Sequence, residues 1–273
     1  MPESKTNQRS SRNGGYVSWD NILGLLRYRG PIRTRGTHVL PTRIELRHIA
    51  GARGKPSLNA DIQNAAEATR MIADPDMEIL GTNCVSSCAT FNAEGGIKLT
   101  TTTGSADQVI LTPHLDANQT AWAQTTWGTD KEAVWECEIA TGTAITAEIV
   151  WAGLKLTNTP VVATDNDQVF FRYEAGVASG VWQVISSIGN VDTTTSTPIT
   201  VAVSTRYHLK IVIAPDRTTR CWITVAGSAP TLVYTTAALT DATDLIPYIA
   251  VQTSTTAAKD ITYYGQAIGR NIG

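Results

Sequence analysis

The sequence predicts an all-β fold, a jelly-roll β-sandwich preceded by an extended basic N-terminal arm and one short helix. Three observations point there. From Met77 onward, apolar and polar residues alternate with a period of two in many short runs. Turn-forming Gly, Asn, Asp and Pro clusters separate those runs at regular spacing, as in sandwiches and jelly rolls. Threonine, at 40 of 273 residues, suits the half-exposed face of a strand.

Taken in order, residues 1–56 read as the arm. Gly14-Gly15, Gly30-Pro31, Gly36, Pro41, Gly51, Gly54 and Pro56 punctuate it, and arginines are scattered through it. Such a segment carries too little apolar surface for a core of its own. Two apolar groups interrupt the arginines: Trp19, Ile22, Leu23, Leu25, Leu26 and Tyr28, then Ile44, Leu46 and Ile49. Asp20 is placed to cap a short helix over Asn21 to Arg27. Residues 57–76 read as a linker helix. Ser57 is a natural N-cap, Leu58, Ile62, Ala65, Ala66, Thr69 and Ile72 recur at three- and four-residue steps, and Asp74-Pro75-Asp76 is a stop.

Residues 77–273 read as the β domain. Its clearest runs are Val134–Ile139, Ile145–Trp151, Gln168–Glu174, Val181–Ile188, Tyr207–Ile213, Arg220–Val225, Pro247–Gln252 and Asp260–Ile268, with Ile97–Thr102 and Gln108–Thr112 before them. That makes about ten to thirteen short strands. Trp135, Trp151 and Trp182 fall at core or half-core positions, and Cys137 and Cys221 share the apolar side of their strands as small buried hydrophobes. No 20–50-residue repeat is present, which argues against a propeller or solenoid.

Charge is divided unevenly. Residues 1–60 carry 11 basic and 3 acidic side chains, and residues 61–273 carry 11 basic and 21 acidic, so a net of −2 joins an arm of +8 to a body of −10. A basic arm on an acidic body points to a partner. The N-terminus MPESKTNQRSSRNGG lacks the apolar core of a secretion signal, and no apolar run approaches the roughly 18 residues of a membrane span, so no membrane partner is expected and synthesis in a reducing cytoplasm is.

Metal and nucleophile motifs are sparse. Cys84 and Cys88 are spaced CxxxC, which is not a zinc knuckle, and no second pair completes a site. A disulfide between them is compatible with the spacing but not required by it. His38, His48, His114 and His208 sit in no triad context, and neither GxSxG nor a phosphate-binding glycine loop occurs. Thr164-Asp165-Asn166-Asp167 offers a weak calcium candidate in Asp165 and Asp167, although a calcium site wants six or more oxygens. No cofactor is expected. Trp122 and Trp127 lie in a Thr/Gly-rich segment where an aromatic platform for a glycan, or an oligomer contact, would be exposed.

Strand order carries a resemblance. Trp135-Glu136-Cys137-Glu138-Ile139 leads to Ile149-Val150-Trp151-Ala152-Gly153-Leu154, then to Asp167–Tyr173 and Trp182-Gln183-Val184. Thr205–Ile211, Cys221–Gly227, Leu245–Val251 and Ile261–Ile268 follow. About half the chain thereby resembles the concanavalin A-like (laminin-G-like) jelly-roll superfamily, and its Thr- and Ala-rich variants resemble virion structural proteins of tailed bacteriophages. Some members hydrolyse polysaccharides with Glu, Asp and Glu at steps of two and three along one strand. Here the middle position is Glu138 and the third is Thr141, so the pattern is broken and Glu136 and Glu138 read as two glutamates on a solvent- or interface-facing strand.

The resemblance implies a non-enzymatic capsid decoration (cement) protein on the virion surface. Its partner would be the major capsid protein or another virion protein, and it would form a homodimer or homotrimer. In that reading Trp19, Leu23, Leu25 and Leu26 fill apolar grooves, while Arg27, Arg29, Arg33 and Arg35, with Tyr28 between them, meet capsid carboxylates. One alternative is a head-fibre or tail module that binds glycans or a receptor. Another is a jelly-roll shell protein whose arm faces nucleic acid, disfavoured because the basic residues are not clustered.

Overall fold

The computed structural model describes residues 27–29, 43–52, 54–58, 73–113, 121–122, 125–157 and 165–272. Nineteen strands occur among them. In chain order they are β1 (Arg27–Arg29), β2 (Arg43–Ile49), β3 (Lys55–Leu58), β4 (Ala73–Leu80), β5 (Ala89–Phe91), β6 (Ile97–Thr100), β7 (Gln108–Pro113), β8 (Ala121–Trp122), β9 (Thr125–Thr126) and β10 (Val134–Thr141). There follow β11 (Glu148–Lys155), β12 (Gln168–Glu174), β13 (Val181–Ile188), β14 (Val191–Thr200), β15 (Arg206–Ile213), β16 (Thr219–Val225), β17 (Thr231–Thr235), β18 (Ile246–Thr253) and β19 (Asp260–Asn271).

Two large sheets face each other. One has nine strands in the order β1-β2-β19-β10-β15-β16-β17, with β6 also on β19 and β5 on β6; the other has eight in the order β14-β13-β12-β11-β18-β7-β4-β3. Alternation decides what lies between them. In β10, Trp135, Cys137, Ile139 and Thr141 are buried while Val134, Glu136, Glu138 and Ala140 are half-exposed. The inward residues of both sheets form one core in which Trp182 meets Tyr207 edge-on, ring centroids 5.4 Å apart. Cys137 and Cys221 are buried there, as expected, and burial raises both thiol pKa values, that of Cys137 further through the flanking Glu136 and Glu138.

Strand β19 changes partner along its length. Residues Asp260 to Tyr263 pair with β6 and Gly265 to Asn271 with β2, with a register shift opposite Glu138/Ile139. A bulge there lets both Tyr263 and Gln266 point into the core. Only glycine fits at the switch: a Cβ on Gly265 would lie 2.7 Å from the His48 carbonyl oxygen.

The N-terminal boundaries differ from the sequence expectation. The arm was expected to run through residue 56, but β2 and β3 are integral to the two sheets, and Arg27–Arg29 pair with β2. The reason is alternation: Leu46 and His48 turn inward while Arg43, Glu45 and Arg47 turn outward, and Ile49, expected in the apolar group, is exposed. The helix expected from Ser57 is replaced at both ends by strand. Ser57 and Leu58 end β3, Ala73 to Asp76 begin β4, and the two strands pair in parallel. Asp74 does not stop a helix; its buried carboxylate accepts a hydrogen bond from His48 Nε2 at 2.5 Å and one from the Asp76 amide at 2.9 Å. Pro75 falls where the β3–β4 register shifts, a place where a ladder tolerates proline. Residues 59–72, and with them Ile62, Ala65, Ala66, Thr69 and the bulk of the expected helix, lie outside the described residues, as do Asp20, Trp19, Leu23, Leu25, Leu26, Arg33 and Arg35.

Candidate functional site

Outward residues of the nine-stranded sheet form the candidate site. β2 contributes Arg43, Glu45 and Arg47; β19 contributes Gly265, Ala267 and Gly269; β10 contributes Val134, Glu136 and Glu138; β15 contributes Arg206, His208 and Lys210. Register sets Arg47, Ala267, Glu136, Lys210 and Trp222 in one row across five strands. Because β19 presents only small residues from Gly265 to Gly269, its neighbours stand up as two charged walls around a trough of about 260 Å³.

Walls and floor are braced by specific contacts. Arg47 Nε donates to Glu45 Oε1 at 2.5 Å, and Arg43 Nη2 donates to the Gly269 carbonyl at 3.2 Å. A Cβ on Gly269 would lie 3.1 Å from Arg43 Nε, so the glycine is what lets that guanidinium rest across the floor. On the other wall, Glu136 Oε2 lies 3.5 Å from Lys210 Nζ and 3.7 Å from His208 Nε2, and Glu138 Oε1 lies 3.2 Å from Arg206 Nη1. Arg206 also covers the Tyr264 ring, 3.9 Å from its centroid. Trp222 is half-exposed on the same face, paired with Lys210. Trp222 and Tyr264 were not singled out from sequence. Arg220-Cys221-Trp222-Ile223 alternates, so burying Cys221 and Ile223 already turns Trp222 outward; Tyr264 is hidden by the bulge.

Glu136 and Glu138 do share a face, half-exposed and each opposite a basic residue. That arrangement orders a polar surface, Glu138 against Arg206 and Glu136 against Lys210.

Other sequence candidates resolve differently. Trp127 is no exposed platform: it is fully buried in the main core, because its carbonyl accepts from the Leu245 amide and the Gly128–Asp244 bridge folds the segment inward. Trp122 lies in β8, which pairs only with β9, and its side chain lies outside the described residues. Arg27, Tyr28 and Arg29 pair with Glu45, Ile44 and Arg43 as an added edge strand. The calcium candidates are turn braces. Asp165 accepts from the Thr157 amide and hydroxyl and lies 3.7 Å from Lys155 Nζ, while Asp167 accepts from the Gly189 amide and the Thr240 hydroxyl. Each carboxylate is engaged by protein donors, and among the described residues no cluster of three or more His, Cys, Asp or Glu is gathered for a metal.

Two buried polar groups lie apart from this face. His48 bridges Asp74 and the Tyr263 hydroxyl, the latter 2.7 Å from Nδ1. Glu148, in β11, is fully buried with neither carboxylate oxygen hydrogen-bonded. Burial first, then the Asp260 charge, raises its pKa to about 8, with Lys259 opposing.

The two facing sheets make a lectin-like jelly-roll β-sandwich in fold. Solved structures agree on the fold. A protein of unknown function from Shewanella oneidensis MR-1 superposes with a TM-score of 0.54 at 14% identity, over 87% of this chain and 90% of its own. Peanut lectin with a nine-residue peptide superposes with a TM-score of 0.54 at 10% identity, over 85% of this chain and 99% of its own. No protein-family model and no curated protein sequence matches the chain.

Proposed function

We propose that this chain is a non-enzymatic recognition and attachment protein of a virion. Its jelly roll binds a saccharide on the outer face of the nine-stranded sheet, and its basic N-terminal segment fixes it to the particle. One observation carries the reading: the trough over Ala267 and Gly269, walled by charged side chains, on the same sheet face as the half-exposed Trp222, which pairs with the wall residue Lys210. Saccharides are bound by this combination, since charged groups pair with hydroxyls and flat aromatic faces pack on sugar rings. The legume-lectin-like sandwich supports the reading without choosing a ligand. Glycan-array binding that is lost in Trp222→Ala and Glu136→Ala, with the circular dichroism spectrum unchanged, is the expected result; a folded protein that binds no glycan would overturn it.

The charge split favours a second reading, capsid decoration in which the N-terminal arm staples capsomers and the jelly roll projects without meeting a sugar. The partner is then the major capsid protein or another virion protein, and the chain is a dimer or trimer on the capsid surface. The double variant Arg33→Glu, Arg35→Glu changes no residue of β1 or β2 and should abolish particle binding. Full occupancy by that variant would exclude the arginine contacts.

A further inference from the structure

Resting on the saccharide reading, we infer that the trough on β19 selects an acidic saccharide, one whose ring carries a carboxylate. Cations stand on both walls, Arg43 and Arg47 on one and Lys210 on the other, with Glu45 and Glu136 beside them. Three cations against two carboxylates leave the trough net positive, on a body whose residues 61–273 sum to −10. A positive depression in a negative surface concentrates anions locally.

The geometry separates the roles. Arg47 is held by Glu45, and Arg43 lies across the Gly269 end of the floor, so both guanidiniums are positioned before a ligand arrives. A planar guanidinium matches a carboxylate through paired hydrogen bonds. Glu136, shared between Lys210 and His208, stays a hydrogen-bond acceptor facing the trough, which suits sugar hydroxyls. A neutral sugar would use the acceptors and bring no charge to the arginine wall. A bare inorganic anion would use the cations and meet Glu136 and Glu45 as repelling charges. An acidic sugar satisfies both sets. At about 260 Å³ the trough lies below the roughly 300–1,000 Å³ of sites for drug-sized molecules, so it takes one ring of a longer chain.

The experiment is calorimetric titration of the full chain with trimers of galacturonate, mannuronate and guluronate and with 3′-sialyllactose. Each is run beside its uncharged partner, the methyl ester or, for sialyllactose, lactose. At least one acidic member should bind about 10–100-fold more tightly than its uncharged partner, the value of a charge-assisted hydrogen bond. That preference should fall in 0.5 M salt and disappear in Arg47→Ala and Lys210→Ala. Gly269→Ala, which displaces Arg43, should weaken the acidic sugar more than the neutral one. Equal binding of acidic and neutral partners would overturn the acidic selection and leave the saccharide reading standing. Binding to none of the acidic or neutral sugars would overturn the selection, and an accompanying blank glycan array would remove the saccharide reading with it. Preference retained in both Arg47→Ala and Lys210→Ala would place the site elsewhere.

Discussion

Pointing away from the core are Glu136, His208 and Lys210 on the nine-stranded sheet, and Trp151, Phe170 and Tyr248 on the eight-stranded sheet. The second set is buried as fully as the interior. Trp151 stacks on Phe170 with ring centroids 4.6 Å apart, Ile110, Ile185 and Ala250 join them, and Lys155 sits over the Tyr248 ring at 4.4 Å. One sheet thus buries a single face and leaves charged side chains half-exposed on the other, while its companion buries residues on both. The contrast shows in the strands. β10 and β15 alternate, whereas β7 and β18 are almost uniformly buried.

Substitutions that remove buried groups should give the largest effects. Trp151→Ala and Phe170→Ala should each cost about 3–5 kcal/mol in denaturant unfolding, while Trp222→Ala, on the other sheet's open face, should cost no more than about 1 kcal/mol. Similar costs for Trp151→Ala and Trp222→Ala would erase the distinction between the faces. Asp74→Ala, which strips His48 of its buried acceptor, should cost about 3 kcal/mol.

Gly153→Ala comes next. Its Cβ would lie 2.4 Å from Phe170 Cα and 2.5 Å from the Val169 carbonyl oxygen, so β11 and β12 must separate. A loss of about 1–3 kcal/mol is expected.

Glu148 gives the buried core a pH signature. Its pKa is raised from the ordinary 4.5 to about 8, so the folded chain holds this proton more tightly than the unfolded one. The group's contribution is therefore most favourable at acid pH and declines as pH rises from about 4.5 to about 8, by at most ~1.4 kcal/mol per pH unit, then levels off. Glu148→Gln should remove that decline and be the more stable protein at pH 8. Urea midpoints of the two proteins running parallel from pH 5 to 8 would show that Glu148 is ionised when folded.

Lys210→Ala should have the smallest effect on stability, within about 0.5–1 kcal/mol, because its pairing with Glu136 is half-exposed. Its effect belongs to binding.

Much of the scaffold was legible because burial on one face imposes a period of two. Val134–Ile139, Gln168–Glu174, Val181–Ile188 and Tyr207–Ile213 fall within or along observed strands. Where the period breaks, legibility stops. The bulge beside Gly265 reverses the phase of β19, so the outward place of Tyr264 cannot be read from its neighbours. The helix expected over residues 57–76 competed with strand, and strand prevails at Ser57–Leu58 and from Ala73 to Asp76 through parallel pairing of β3 and β4 and the buried His48–Asp74 contact, neither of which a local pattern records. Trp127 looked exposed because Thr and Gly surround it, and only the distant Asp244 and Leu245 turn it inward. The trough needed the register of four strands from four separate parts of the chain, although Glu136 and Glu138 were already recognisable on one outward face.

The most direct measurement is a chemical-shift map of the isotope-labelled chain titrated with the tightest-binding acidic trisaccharide. The account predicts perturbations concentrated at Arg47, Glu136, Lys210, Ala267 and Gly269, with the eight-stranded sheet silent. Shifts centred on the strands around Trp151 and Phe170, or confined to loops away from β19, would contradict the assignment of recognition to the nine-stranded face.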